Sequence, residues 1–161
     1  MPAKPNYYIY FTPFGPITIG ARGKCVTAVL LGKQPLAGEL RPSEVTNRCA
    51  TQLLQYLGGK RKGFDVPLSL EGSPFQKKVW AAVGKVPYGQ TRTSSQIAAA
   101  IGAPESARQI GSALAACPVA VLVPVHRIVR ADGRTRGEDK QARLRAACLA
   151  LERRVLAEAR R

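Results

Sequence analysis

Between Thr93 and Cys117 the chain can form helix only in two pieces. Gly102 supplies a C-terminal stop after the apolar positions Ile97, Ala98 and Ile101, and Pro104 suits a first helical turn but cannot continue a helix that precedes it. A hydroxyl cap at Thr93 or Ser94 opens the first piece. In the second, Glu105 sits at the positive end and Ala107, Ile110 and Leu114 supply a core stripe. Two short helices with so tight a break between them make a helix-turn-helix pattern. Helical hairpins of ordinary packing share that pattern, so its partner has to be argued from the surface it leaves.

That surface is thin. The outward positions of the second helix are Ser106, Arg108, Gln109, Ser112, Ala113 and Ala116, nearly all small. Reading base edges in the major groove calls for several long polar side chains, whereas a slender helix carrying one arginine suits the narrow minor groove. The charge balance points to the same partner. There are 25 Lys and Arg against 10 Asp and Glu, a formal net charge of +15. Such an excess favours nucleic acid through counterion release, ahead of an anionic membrane surface, for which no long apolar or strongly amphipathic anchor is present.

Downstream, Val119 to Val123 is a continuous apolar run that ends at Pro124, and it reads as a buried strand. Val125 and the chain's single histidine, His126, follow, with Arg127 beside it. An imidazole on the shoulder of a buried strand can be a general base at a cleft floor or a hydrogen-bonded core residue.

In chain order, Tyr7 to Thr12 and Ile17 to Ala21 read as strands around a Pro13-Phe14-Gly15-Pro16 turn, with Val26 to Leu31 as a third. Ser43 opens a helix through Val45, Cys49, Leu53 and Leu57, and a further short strand is expected over Phe64 to Leu70. Lys60 to Lys62 reads as a solvated loop. Ser73 and Pro74 start a helix with the stripe Phe75, Val79, Trp80 and Val83, and a last helix runs from about Asp139 to Ala159. The expected fold class is α/β in the α+β sense. It comprises a small N-terminal α/β lobe, residues 1–71, and a mainly helical domain with the helix-turn-helix, residues 72–161.

Cys25, Cys49, Cys117 and Cys148 are scattered, which fits neither a zinc knuckle nor a secreted disulfide framework; reduced thiols are expected, and no metal or cofactor. No secretory leader or membrane-spanning run is apparent, so the expectation is the cytoplasm, at the nucleoid, or the nucleus.

A set of motifs carries a resemblance. Ser73-Pro74-Phe75-Gln76, Val79-Trp80, Val86-Pro87-Tyr88-Gly89-Gln90-Thr91, Ile97-Ala98, Ile101-Gly102, Pro104, Ala107-Arg108, Ile110-Gly111, Pro124 and His126-Arg127-Ile128-Val129 follow the order and spacing of the O6-alkylguanine-DNA alkyltransferases. The C-terminal 90 or so residues match closely, the N-terminal lobe only in length and strand pattern. The resemblance implies minor-groove binding to double-stranded DNA and extrusion of an alkylated guanine into a pocket. It assigns Arg108 as the finger that fills the gap in the stack, and His126 and Glu152 as members of a water-linked relay. Thr93, Ser94, Gln109, Ser112, Ala113, Ala116 and Arg127 would join Arg108 at the DNA. Leu114, Pro124, Val125, His126, Asp139 and Lys140 would line the lesion pocket.

The departures bear on activity. Val125 stands where the family carries its acceptor cysteine, and an alkane has no lone pair with which to attack an alkyl carbon. Ser94 replaces the family tyrosine that presses on the rotated phosphate, Cys117 replaces a hinge asparagine, and Glu138 to Gln141 replace a tyrosine, a serine and paired glycines. Three readings follow. The first resembles the alkyltransferase-like proteins: a monomer, not an enzyme, with no catalytic residue, that binds O6-alkylguanine lesions without transfer and flags them for nucleotide excision repair proteins. The second is an active alkyltransferase that uses another acceptor such as Cys117. The third is a DNA-binding module with no lesion preference.

Overall fold

The computed structural model describes residues 3–135 and 141–160. The fold is mixed α/β and divides into two units, residues 1–71 and 72–161.

In the first unit, strands β1 (Pro5–Thr12), β2 (Gly15–Arg22), β3 (Cys25–Leu31) and β4 (Glu39–Leu40) form one sheet in the order β3-β2-β1-β4. The β1–β2 and β2–β3 pairs are antiparallel, and the short β4 pairs parallel to β1. Gly15 makes the β1–β2 hairpin possible: its φ of 95° closes the two-residue Pro13-Phe14 loop in a region that suits glycine. Helix α1 (Glu44–Leu57) is closed at its start by a capping box between Ser43 and Thr46, and it packs on the sheet. Its buried Val45, Cys49, Leu53 and Tyr56 belong to the same core as Ile17, Ile19, Val26 and Val29. The strand expected over Phe64 to Leu70 does not form. Only Leu68 bridges Val26, because Pro67 has no amide to donate and the ladder stops after Val26 N–H to Pro67 O and Ser69 N–H to Val26 O.

In the second unit, α2 (Pro74–Gly84) and α3 (Ser94–Ala100) both start with a hydroxyl-glutamine capping box, Ser73 with Gln76 and Thr93 with Gln96. A 3-10 turn at Pro104–Ser106 leads into α4 (Ala107–Ala115), so the two pieces around Gly102, with φ 77°, form as expected. The Trp80 indole donates to the Ala113 carbonyl over 2.9 Å and ties α2 to α4. Strands β5 (Arg92–Thr93) and β6 (Ile128–Val129) pair in parallel, bringing the start of the helix-turn-helix beside the segment that follows Arg127. Helix α5 (Ala142–Ala159) follows, and the Asp139 start expected for it lies outside the described residues. No described helix is long and apolar enough to cross a membrane.

The Val119–Val123 run corrects the strand expected there. It is largely buried but folded as a turn: Val123 N–H donates back to Val119 O, and Val121 has φ 77°. A β-branched residue in the left-handed region costs about 1–3 kcal/mol and persists only where its surroundings dictate it. Burial on all sides produces the same apolar run as a strand would, so the pattern did not distinguish them.

Candidate active site

After Pro124 the chain winds into a 3-10 turn, Val125–Arg127, that packs against α5. The turn directs His126 and Arg127 inward, where both meet Glu152 of α5. His126 is 1% exposed and Glu152 is completely enclosed. His126 Nε2 lies 2.6 Å from Glu152 Oε2. Arg127 Nε donates to Glu152 Oε1 at 2.9 Å, its NH2 group donates to Oε2 at 3.0 Å, and its NH1 group donates to the Val86 carbonyl. The Gly89 amide adds a bond to Oε1 at 2.8 Å, and the Tyr88 ring lies 5.5 Å from the guanidinium carbon.

A carboxylate so supplied accepts a proton-bearing Nε2, which leaves Nδ1 as the acceptor nitrogen of the ring. Burial holds His126 below its ordinary value of 6.5, against the upward pull of the Glu152 hydrogen bond and charge, and Arg127 adds to the lowering. The imidazole is therefore neutral near pH 7, the state a general base needs.

Beside His126 is a small cleft lined by Ala120, Val121, Val125, Gln141, Leu144, Arg145 and Cys148. At about 10 Å³ it has room for about one water. Cys148 of α5 lines this cleft with His126, a proximity the sequence did not signal because the two lie 22 residues apart on different elements. Cys117 is absent from the lining, and burial pushes its thiol up to about 11, with a Val119 backbone hydrogen bond acting in the opposite direction. Leu114 and Pro124 are buried but do not line the cleft, and Asp139 and Lys140 lie outside the described residues.

On the helix-turn-helix, Arg108, Gln109, Ser112 and Ala116 are exposed, and Thr93 and Ser94 are half-buried at the start of α3. Two residues expected at the DNA are not available for it. Arg127 is committed to Glu152 and Val86, and Ala113 is 2% exposed, because α4 turns that position toward Trp80.

Two family models divide the chain as the fold does. The 6-O-methylguanine DNA methyltransferase ribonuclease-like domain matches residues 6–70, and the DNA binding domain of the same family matches residues 74–154. The chain belongs to the 6-O-methylguanine DNA methyltransferase family. It is 38% identical over 136 residues to the methylated-DNA–protein-cysteine methyltransferase of Methanosarcina acetivorans, covering 81% of this chain and 87% of that one. It is 34% identical over 156 residues to the inducible methylated-DNA–protein-cysteine methyltransferase of Bacillus subtilis, covering 95% and 87%. Among solved structures it resembles Mycobacterium tuberculosis OGT in complex with DNA, with a TM-score of 0.86 at 34% identity across 93% of this chain and 94% of that one.

These relatives correct the expectation drawn from Val125. A non-transferring lesion sensor that is not an enzyme is overturned by proteins 34% to 38% identical along most of the chain that are named for transfer to cysteine. The reading with another acceptor is the one they favour.

Proposed function

We propose that this protein repairs O6-methylguanine in double-stranded DNA by moving the methyl group to its own Cys148. The observation that carries the reading is the shared cleft: Cys148 lines the same space as Val125, the position opposite the family's acceptor, and as His126. Two further features support it. The buried His126–Glu152–Arg127 cluster is a proton-handling arrangement for which DNA binding alone has no use. Arg145 brings a positive charge to the cleft, the kind of neighbour a thiolate nucleophile needs.

In this reading α4 lies in the minor groove, with Arg108, Gln109, Ser112 and Ala116 against the duplex and Arg108 occupying the gap left by the extruded base. His126 Nδ1 takes the thiol proton. The sulfur then attacks the methyl carbon; an S–C bond forms, the C–O6 bond breaks, and its electron pair stays on guanine, which regains a proton. The cleft must widen to admit a purine, so α5 and the Val119–Pro124 turn separate when the base enters. The archaeal and bacterial relatives support a reaction in the cytoplasm and give no support to the nuclear alternative.

Mass spectrometry after incubation with an O6-methylguanine duplex tests the assignment. One added methyl is expected, lost in Cys148→Ser and kept in Cys117→Ser. The reverse pattern would move the acceptor to Cys117. A protein that binds the duplex yet gains no methyl would overturn transfer altogether and leave a DNA-binding module, the outcome that the inert side chain of Val125 makes worth testing.

A further inference from the structure

A feature that methyl transfer does not use lies elsewhere on the second unit. Helices α2 and α3 pack together and leave an open groove of about 510 Å³ between them. Lys78, Ala81, Ala82 and Lys85 fall at i, i+3, i+4 and i+7 of α2, one face of one helix. Ile97, Ala100 and Ile101 come from α3 and its end, Val86 closes the floor, and Arg92 and Gln96 stand at the rim. The groove thus has a floor of methyl and isoleucine surface under three cations, and no carboxylate is among its lining residues.

This combination selects its occupant. A DNA backbone would satisfy Lys78, Lys85 and Arg92 but has no apolar face to set on the alanines and isoleucines. Single-stranded nucleic acid would stack on aromatic side chains, and none lines the groove. A lone small anion would leave the floor wet. An amphipathic helix with apolar residues on one side and acids flanking them satisfies both layers, as in other helix-in-groove recognition. Lys78 and Lys85 are seven residues apart, about 10 Å along the axis, which matches acidic residues two turns apart on a partner helix. The small Ala81, Ala82 and Ala100 let such a helix approach closely, while the half-buried Ile101 gives it an apolar side chain to pack on.

We propose that the α2–α3 groove is a docking site for an acidic amphipathic helix of a partner protein. The site is separate from the cleft at Val125, with which it shares no lining residue. It does not depend on the methyl-transfer reading.

The test uses the full chain and a labelled synthetic helix with leucine at i, i+3, i+4 and i+7 and glutamate elsewhere, followed by fluorescence anisotropy at physiological ionic strength. A scrambled peptide of the same composition controls for charge, because a protein of net charge +15 attracts any polyanion. The patterned helix should bind at least about tenfold more tightly than the scramble. Ala100→Trp, at an exposed helical position, fills the floor and should abolish that preference. Lys78→Glu with Lys85→Glu should weaken binding of the patterned helix, while Lys60→Glu with Lys62→Glu, the same charge change on the other unit, should leave it within about twofold. Equal binding of the two peptides, or equal losses from the two charge reversals, would overturn the proposal. So would an Ala100→Trp protein that keeps the peptide preference but loses affinity for duplex DNA, which would make the groove a nucleic-acid contact.

Discussion

Glu152 Oε2 lies 2.6 Å from His126 Nε2, and the same carboxylate takes two further bonds from Arg127, so one buried acid fixes both side chains of the Val125–Arg127 turn. Because α5 supplies the acid and the turn supplies the base and the cation, the cluster joins two distant stretches of chain. It fixes the position of the imidazole.

The first prediction concerns that carboxylate. Glu152→Gln keeps the shape but leaves Arg127, nearly buried, without its counter-charge, and breaking a buried pair from one side costs about 3–5 kcal/mol. The denaturant midpoint should fall accordingly with little change in the slope. Removing Arg127 as well should cost less than the sum of the two single losses, since the partners share one network. A midpoint within experimental scatter of the wild type would mean that the cluster contributes nothing to folding.

The second concerns pH. Burial lowers the folded-state value of His126 below 6.5, so between that lowered value and 6.5 the unfolded chain binds more protons than the folded one. Stability contributed at this site is therefore complete above 6.5 and lost as the pH falls toward the folded value. Urea titrations across this window should show a drop in wild-type stability that His126→Gln does not share. Self-repulsion of the positive charges acts on both proteins alike, so the difference between the two curves isolates the histidine. Parallel curves would show that His126 titrates equally in both states.

The helix starts were legible in the sequence and the site only in part, since the resemblance joined His126 with Glu152, which lie 2.6 Å apart, but did not join Arg127 to them. Ser73 with Gln76 and Thr93 with Gln96 signal their helices through local chemistry, three residues apart, and the capping boxes form as their spacing requires. The break at Gly102 and Pro104 is equally local. The partnership of Arg127 and Glu152 spans 25 residues, and nothing near either residue announces it. The resemblance assigned Arg127 to the DNA and Glu152 to a relay with His126, whereas the fold also binds Arg127 to Glu152. The Val119–Val123 run shows a second limit. Apolar content reveals that a segment is buried, but the turn with Val121 at φ 77° is imposed by tertiary packing and leaves no mark in the pattern.

The third prediction is salt dependence. If duplex binding neutralises about six phosphates, affinity should fall about a thousandfold between about 50 and 200 mM salt. Loss of one lysine contact to phosphate should flatten the logarithmic slope by about one. An affinity that holds steady over that range would remove the electrostatic basis for DNA binding.

The fourth separates two roles for Arg108. A side chain that fills the gap of an extruded base compensates for unstacking, which costs a few kcal/mol, so Arg108→Ala should weaken binding to a lesion or mismatch more than to intact duplex. Equal losses on both substrates would reduce it to a phosphate contact.

The last prediction is a gain of chemistry at position 125. Val125 is 4% exposed, so Val125→Cys replaces a branched side chain with a slightly smaller one at a cost of about 1 kcal/mol, and the turn should keep its shape. The new thiol would stand next to His126, whose Nε2 is held by Glu152 and whose imidazole is the neighbouring base. Made in a Cys148→Ser background, this protein has a single thiol in the cleft, and mass spectrometry should find a methyl at position 125 after incubation with the O6-methylguanine duplex. Transfer should be slow. Ser94, the first residue of α3, has no ring to press on the rotated phosphate, and the cleft of about 10 Å³ must open before a purine can enter. Adding Ser94→Tyr should therefore raise the rate without changing the site of methylation, because rotation of the nucleotide is the step it assists. If the thiol at position 125 stays unmodified through long incubation while the duplex remains bound, the cleft does not admit the base. Cys148, deeper in the same space at 1% exposure, could then not be the acceptor either.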